Sequence, residues 1–188
     1  MSAVASRPAY TMPEFIDLPD HDLYELVEGE LRHINVSNLS SLVAAKTHNR
    51  LMNYCEPRNL GLVLPCNAYY QCFGDSSRHA RKPDVSFIRG ERLPEGWLAD
   101  RFFTIAPDLA VKVLCPDDLA YEVDEKIRDY LDAAVQLIWM INPEQRVVMV
   151  HRADGGTARL KETDMLDGEK VIPGFSCRVG ELFPSNLV

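Results

Sequence analysis

A strand–helix–strand pattern in the middle of the chain constrains its fold more than any other feature. Residues 109–114 form a short apolar run of β type, and residues 118–134 repeat apolar side chains at helical spacing. Residues 136–141 are again a strand-like run. Two neighbouring strands joined by a helix need a crossover connection, which pairs them in parallel. We therefore predict an α/β fold of mixed α+β type, with a mixed β-sheet flanked by helices.

The segments around this unit complete the predicted fold. Residues 24–36 indicate a β-hairpin with its turn at Glu28 and Gly29, and residues 39–55 carry the apolar face of a helix. Because the 188 residues are 46% hydrophobic and contain no repeat or linker-like tract, we expect one domain over residues 1–188. Further extended segments are predicted at residues 60–64, 69–73, 85–88, 146–152 and 170–182.

Composition excludes several classes of protein. The five cysteines are odd in number and form no C-x-x-C pair, so neither a disulfide framework nor a zinc knuckle is predicted, and we expect a cytoplasmic location. The longest uninterrupted apolar stretch, residues 137–141, is too short to span a bilayer. The sequence also lacks the motifs of zinc hydrolases, serine hydrolases and P-loop nucleotidases.

The charge distribution bears on nucleic-acid binding. A net charge of −8 argues against a protein that coats DNA through a broad basic face. Between residues 78 and 92, however, the sequence contains five basic residues and only two acids, so phosphate contacts are predicted there. The candidate DNA contacts are Arg78, Arg81, Lys82, Arg89 and Arg92.

Four charged residues could form a catalytic centre. Lys112 lies within an apolar strand and needs a paired charge or a functional reason. Asp84 begins another strand and Glu25 lies in the hairpin, so either could ligate Mg²⁺ or Mn²⁺, which prefer carboxylate oxygens. Lys126, at the border of the helical stripe, could activate water in a neighbouring cleft. Three of the four also have an ordinary interpretation: a strand-entry residue for Asp84, a solvated strand residue for Glu25 and a snorkelling amine for Lys126.

The order of several short motifs resembles a known family. The motifs are Tyr24-Glu25-Leu26-Val27-Glu28-Gly29, Arg81-Lys82-Pro83-Asp84-Val85, Pro107-Asp108-Leu109-Ala110-Val111-Lys112-Val113-Leu114-Cys115-Pro116, Glu125-Lys126, and Ile138-Trp139-Met140-Ile141-Asn142-Pro143. Together they resemble the Uma-two family of restriction endonucleases, over about residues 23–183. The resemblance implies membership of the PD-(D/E)XK nuclease-like superfamily, a restriction-endonuclease-like core and Mg²⁺-dependent cleavage of DNA.

By position, the resemblance places the family's acids at Glu25 and Asp84 and its lysine at Lys126. The remaining family acid, a glutamate, is replaced by Lys112, and the following family serine by Cys115. An ammonium group cannot coordinate a metal ion and repels one. We expect Lys112 to form ion pairs with Asp84 and Glu25. Its ammonium group would then occupy the place of the metal ion.

Three hypotheses follow. The chain is an endonuclease with metal at Asp84 and Glu25 and impaired turnover, or a nuclease-derived DNA-binding or regulatory module that cannot cleave. The third is a structural or toxin–antitoxin-like partner protein with no role on nucleic acid. A homodimer is expected on general grounds, because two-fold dimers are the commonest assembly and suit cleavage of two strands.

Overall fold

A six-stranded mixed sheet forms the centre of the fold. The computed structural model describes residues 9–74 and 76–185. The helices are α1 (Met12–Ile16), α2 (Asn38–Cys55) and α3 (Ala120–Asp132). The strands are β1 (Tyr24–Val27), β2 (Glu30–His33), β3 (Gly61–Pro65), β4 (Val85–Arg89), β5 (Leu109–Val113), β6 (Leu137–Asn142), β7 (Val147–Arg152), β8 (Thr157–Lys161), β9 (Met165–Asp167) and β10 (Ser176–Arg178). The central sheet has the order β3-β4-β5-β6-β7-β8, and β1-β2 and β9-β10 form two small sheets.

The predicted crossover is confirmed. Strands β5 and β6 pair in parallel and are joined by α3, whereas the other neighbours in the central sheet are antiparallel. The mixed sheet with flanking helices therefore matches the predicted fold class. The same crossover carries the chain from Lys112, through Asp118, to Lys126.

Two apolar layers cover the two faces of the sheet. On one face, Val43 and Leu51 of α2 pack with Val111 of β5. On the other, Ile127 of α3 packs with Ala110 of β5. Because successive strand residues point to opposite faces, Lys112 shares the α3 face with Ala110. Its ammonium therefore lies in the layer between the sheet and α3.

The N-terminal hairpin is attached beside the start of β4. Leu26 of β1 exchanges two backbone hydrogen bonds with Ala80, with N···O distances of 3.2 and 2.7 Å. Phe15 of α1 packs with Leu26 and Tyr69 in a third apolar cluster. This attachment places Glu25, the neighbour of Leu26, next to residues 81–84.

Some predicted segments differ from the structure. Residues 69–73 do not form the predicted strand: Tyr70 makes only isolated bridges, to Arg81 and Phe103, although Tyr69 and Tyr70 are buried in different clusters. Strands β8 and β9 were not predicted, and the final segment folds into β10 followed by a short 3₁₀ turn. Among the described residues, no helix has the length and apolar character needed to cross a membrane. The single domain over 1–188 stays a prediction, and its residues 1–8, 75 and 186–188 lie outside the described part.

Candidate active site

Strand register brings Lys112 and Asp84 together. Val85 of β4 pairs with Val111 of β5, so the next pair along the same antiparallel register is Asp84 and Lys112. Lys112 Nζ lies 4.0 Å from Asp84 Oδ2 and 2.9 Å from Oδ2 of Asp118, which precedes α3. The Lys112 side chain is 7% exposed, so its charge is largely shielded from water. The ammonium is thus held between two carboxylates.

Hydrogen bonds fix both acids of this group. Asp84 Oδ2 accepts the backbone N–H of Val113 at 2.6 Å, and Asp118 Oδ2 accepts that of Cys115 at 2.9 Å. Asn35 donates its amide to Asp118 Oδ1 at 3.2 Å. The carboxylates are therefore oriented toward Lys112 by backbone and side-chain donors.

The charge state of this group follows from its partners. Burial lowers the pKa of Lys112, but the negative charges of Asp84 and Asp118 outweigh it, and the pKa is raised. Burial raises the pKa of Asp84, despite the opposing charge of Lys112 and the Val113 hydrogen bond. Lys112 therefore stays protonated, and its charge is offset by Asp84 together with Asp118, which also accepts its hydrogen bond.

A second ion-paired group surrounds Glu25. Glu25 Oε2 lies 2.9 Å from Lys126 Nζ and 3.3 Å from Arg81 Nη1, and Oε1 accepts the backbone N–H of Lys82 at 2.6 Å. Arg81 Nε also donates to Asp129 Oδ2 of α3 at 2.6 Å. Burial raises the pKa of Glu25, but Lys126 and Arg81 outweigh it, so the pKa is lowered. Glu25 is a carboxylate with its oxygens already engaged.

The prediction that Lys112 pairs with both Asp84 and Glu25 is therefore half correct. The Asp84 pair is present, but Glu25 pairs with Lys126 and Arg81 instead. The physical reason is that Glu25 projects from the separate hairpin toward α3, whereas Lys112 is placed by the β4–β5 register. Glu25, Lys112 and Lys126 nevertheless line one small cavity, of about 40 Å³.

Comparison with known proteins identifies the family. The model of the Uma2 family, described as "Putative restriction endonuclease", matches residues 12–180. The chain belongs to the Uma2 family. The resemblance stated from the sequence motifs is confirmed.

A solved structure shares the Uma2 fold. It is described as the crystal structure of a putative nuclease belonging to DUF820 from Anabaena variabilis ATCC 29413. The match has a TM-score of 0.80 and 22% sequence identity, and it covers 93% of this chain and 97% of that one. The two chains are therefore similar in fold along almost their whole lengths. No match was found among curated proteins.

The residues of this Uma2 chain do not fit a resident divalent cation. Within residues 9–74 and 76–185, no group of three His, Cys, Asp or Glu side chains is placed to hold a metal ion. Asp84 and Glu25, the predicted ligands, each face an ammonium group. A cation bound there would have to displace Lys112 or Lys126. The metal-binding role of both acids stays a prediction.

The basic stretch is divided between three places. Arg81 and Lys82 are buried beside Glu25, where Arg81 forms internal ion pairs and Lys82 Nζ donates to the Asp22 carbonyl at 2.7 Å. The other three candidate contacts lie elsewhere: Arg78 is exposed before this segment, and Arg89 and Arg92 pair with Asp108 at the opposite end of β4. The candidates thus do not form one continuous basic surface, and their role as DNA contacts stays a prediction.

Two acids of the site were not singled out from the sequence. Asp118 is the closest ion-pair partner of Lys112, and Asp129 joins Arg81 and His79, whose Nε2 lies 3.0 Å from Asp129 Oδ2. Asp129 lies three residues after Lys126, so helical spacing places both side chains on neighbouring positions of α3. That spacing was the available signal for Asp129. For Asp118, the need of a buried lysine for a nearby acid was the signal.

Proposed function

We propose that this Uma2 protein is a nuclease-derived module that engages nucleic acid in its cleft but does not hydrolyse it. The observation that carries the proposal is the ammonium of Lys112, held 2.9 Å from Asp118 and 4.0 Å from Asp84. Unit charges about 4 Å apart interact by about 4 kcal/mol at an effective dielectric near that of a protein surface. A divalent cation next to Lys112 would meet about twice that repulsion.

The rest of the centre supports a binding role. Lys126 and Arg81 neutralise Glu25, so the centre as a whole combines carboxylates with nearly matching cations. Metal-dependent nucleases need two or three carboxylates free to converge on an ion, and none of the acids here is free of a cation or a donor. Nucleic acid would then be held without an ion to generate hydroxide or to polarise the phosphate.

The alternative function is Mg²⁺- or Mn²⁺-dependent DNA cleavage with metal at Asp84 and Glu25. Family membership favours it, because the family is described as restriction endonucleases. It requires Lys112 to leave its two acid partners when the ion binds. The homodimer and the cytoplasmic location remain predictions that accompany either function.

Nicking of supercoiled plasmid separates the two functions. We expect the natural protein to retain DNA at low salt and to leave it intact with Mg²⁺ or Mn²⁺. Lys112→Glu should introduce metal-dependent nicking, and Asp84→Asn added to it should remove the nicking. Lys161→Glu, the same charge change on the exposed edge strand β8, is the matched control and should stay inactive.

Three outcomes would overturn the proposal. Nicking by the natural protein that depends on metal and on Asp84 would show that Lys112 does not suppress cleavage. A folded Lys112→Glu protein that neither binds Mn²⁺ nor nicks DNA would show that residue 112 is not the lost metal position. Absence of salt-dependent DNA retention by the natural protein would remove the nucleic-acid role itself, because phosphate contacts always carry a salt dependence.

A further inference from the structure

A groove has the size of a ligand site. It lies next to the group of Glu25, Asp84, Lys112, Asp118 and Lys126, which we call the acid–lysine centre. Its volume is about 430 Å³. Pockets that bind small molecules span about 300–1,000 Å³ and are mostly apolar with a few placed polar groups. Leu23, Ile34, Val36 and Ala44 are among the apolar residues that line the groove, between α2 and the chain that leaves the hairpin. Leu23 and Val36 are 48% and 73% exposed, so its rim presents apolar surface to solvent.

The groove is continuous with the centre. Lys82 and Asp84 line the groove itself, while Ile34 and Asn35 line both the groove and the small cavity that contains Glu25, Lys112 and Lys126. A polymer whose backbone passes the centre would therefore place an adjoining unit at the groove. The groove and the centre can act on one ligand.

The few charged residues of the groove favour an uncharged ligand group. Among the described residues that line it, Lys82 is the single lysine or arginine, against the two acids Asp22 and Asp84. Lys82 Nζ donates to the Asp22 carbonyl and lies 5.0 Å from the centre of the Tyr69 ring, so its charge is already partnered. A phosphate would gain little here and would meet two carboxylates. A neutral group with an apolar face is the better match.

Carboxamides at the groove supply hydrogen bonds for a flat polar edge. Asn49 Oδ1 accepts from Asn53 Nδ2, which leaves the amide N–H groups of Asn49 without an acceptor among the described residues. Asn67, which also lines the groove, accepts only a weak thiol contact at Oδ1, from Cys66 at 3.7 Å. Carboxamide side chains are well suited to the donor and acceptor edge of a nucleobase.

We infer that this groove binds the base of an unpaired nucleotide. The inference rests on the proposed function, because it takes the sugar-phosphate chain past the acid–lysine centre and turns one base into the groove. A paired base could not enter, since its polar edge is occupied and its faces are stacked. The protein should therefore prefer single-stranded to double-stranded nucleic acid.

A fluorescent base tests this inference. The probes are a single-stranded oligonucleotide with one 2-aminopurine, its duplex form and the free 2-aminopurine nucleoside. Ala45→Phe fills the groove from an exposed position of α2, and Ala153→Phe makes the same change in the turn after β7, outside both cavities. We expect the natural protein and Ala153→Phe to change the 2-aminopurine emission and to bind the single strand at least tenfold more tightly than the duplex. Ala45→Phe should lose both effects.

The outcomes separate this inference from the proposed function. If the protein retains DNA but binds duplex and single strand equally, or if Ala45→Phe binds like Ala153→Phe, the base site is wrong and the proposed function stands. If the free nucleoside binds and Ala45→Phe prevents it, while no DNA is retained, the base site stands and the proposed function fails. If neither the nucleoside nor the single strand changes the emission, the base site is overturned.

Discussion

At the scale of single residues, the charge of Lys112 dominates the electrostatics of its surroundings. A lysine at position 112 brings a permanent positive charge into a layer that also contains Asp84 and Asp118. The desolvation of that charge is costly, and the two carboxylates offset it. The surroundings of Lys112 thus provide what a buried ammonium requires, which explains how the fold tolerates it.

Arg81 has a corresponding role in the second ion-paired group. It joins Glu25 to Asp129 and is 3% exposed. Arg81→Met should lower the free energy of unfolding by about 3–5 kcal/mol, because it leaves two carboxylates without their shared cation in a buried place. Denaturant unfolding followed by circular dichroism measures the change.

The matched control for Arg81→Met is Arg101→Met. Arg101 pairs with Asp17 at 2.7 Å, but the two side chains are 57% and 71% exposed. An exposed pair contributes about 1 kcal/mol or less, and Arg101 Nη2 also donates to the Ile16 carbonyl at 2.7 Å, so the control should cost clearly less than Arg81→Met. Equal losses from the two substitutions would contradict a special role for the buried group.

At the scale of elements, the contact between β3 and β4 depends on a glycine. Gly61 has φ of +153°, and a Cβ added there would lie 2.1 Å from the carbonyl oxygen of Ile88. Gly61→Ala should therefore force the two strands apart and lower the free energy of unfolding by about 2–4 kcal/mol. Gly90→Ala is the control, because its added Cβ would lie 3.8 Å from the nearest atom, Gly61 Cα. A Gly61→Ala protein as stable as Gly90→Ala would show that the strands adjust freely.

The elements differ in how far the sequence could predict them. The apolar stripe of α3 and the strand runs on either side were sufficient to predict the crossover, since local periodicity decides them. Strand β8 alternates exposed and half-buried residues, with polar side chains at most positions, so its formation depends on pairing with β7. Such a strand has little signal of its own.

The candidate site, like the elements, could be predicted only in part from the sequence. That Lys112 needs an acid followed from its place in an apolar strand, and the position of Lys126 at the edge of the stripe correctly indicated a cleft. Which acid each lysine meets could not be predicted, because it depends on the β4–β5 register and on how the hairpin attaches at Ala80. Those contacts join residues far apart in sequence.

At the scale of the whole molecule, stability should depend on pH through the buried acids. Burial raises the pKa of Glu25, but the charges of Lys126 and Arg81 outweigh burial, so the pKa is lowered from 4.5. Burial likewise raises the pKa of Asp129, but His79 and Arg81 outweigh it, so this pKa is lowered from 3.8. A carboxyl whose folded pKa is below its unfolded value stabilises the protein above the unfolded value and loses this contribution as the pH falls. Asp84, whose pKa burial raises, acts in the opposite sense.

We therefore expect Glu25 and Asp129 to contribute less to the free energy of unfolding as the pH falls from about 5 to about 3, while Asp84 offsets part of this loss. Denaturant titrations across this range measure it. Glu25→Gln should make the dependence shallower, whereas Glu144→Gln, in the exposed turn after β6, should leave it unchanged. A dependence that Glu25→Gln does not alter would show that Glu25 takes up its proton equally in the folded and unfolded chains.

The crossover that makes β5 and β6 parallel has one more consequence for the molecule. Lys112, Asp118 and Lys126 all lie on the single stretch of chain from β5 through α3. The lysine and its nearest counter-charge are therefore encoded in one continuous segment, and a chimaera that receives this segment would receive both. Exchange of that segment would move the ion pair intact, whereas exchange of residue 112 alone would leave Asp118 without its cation.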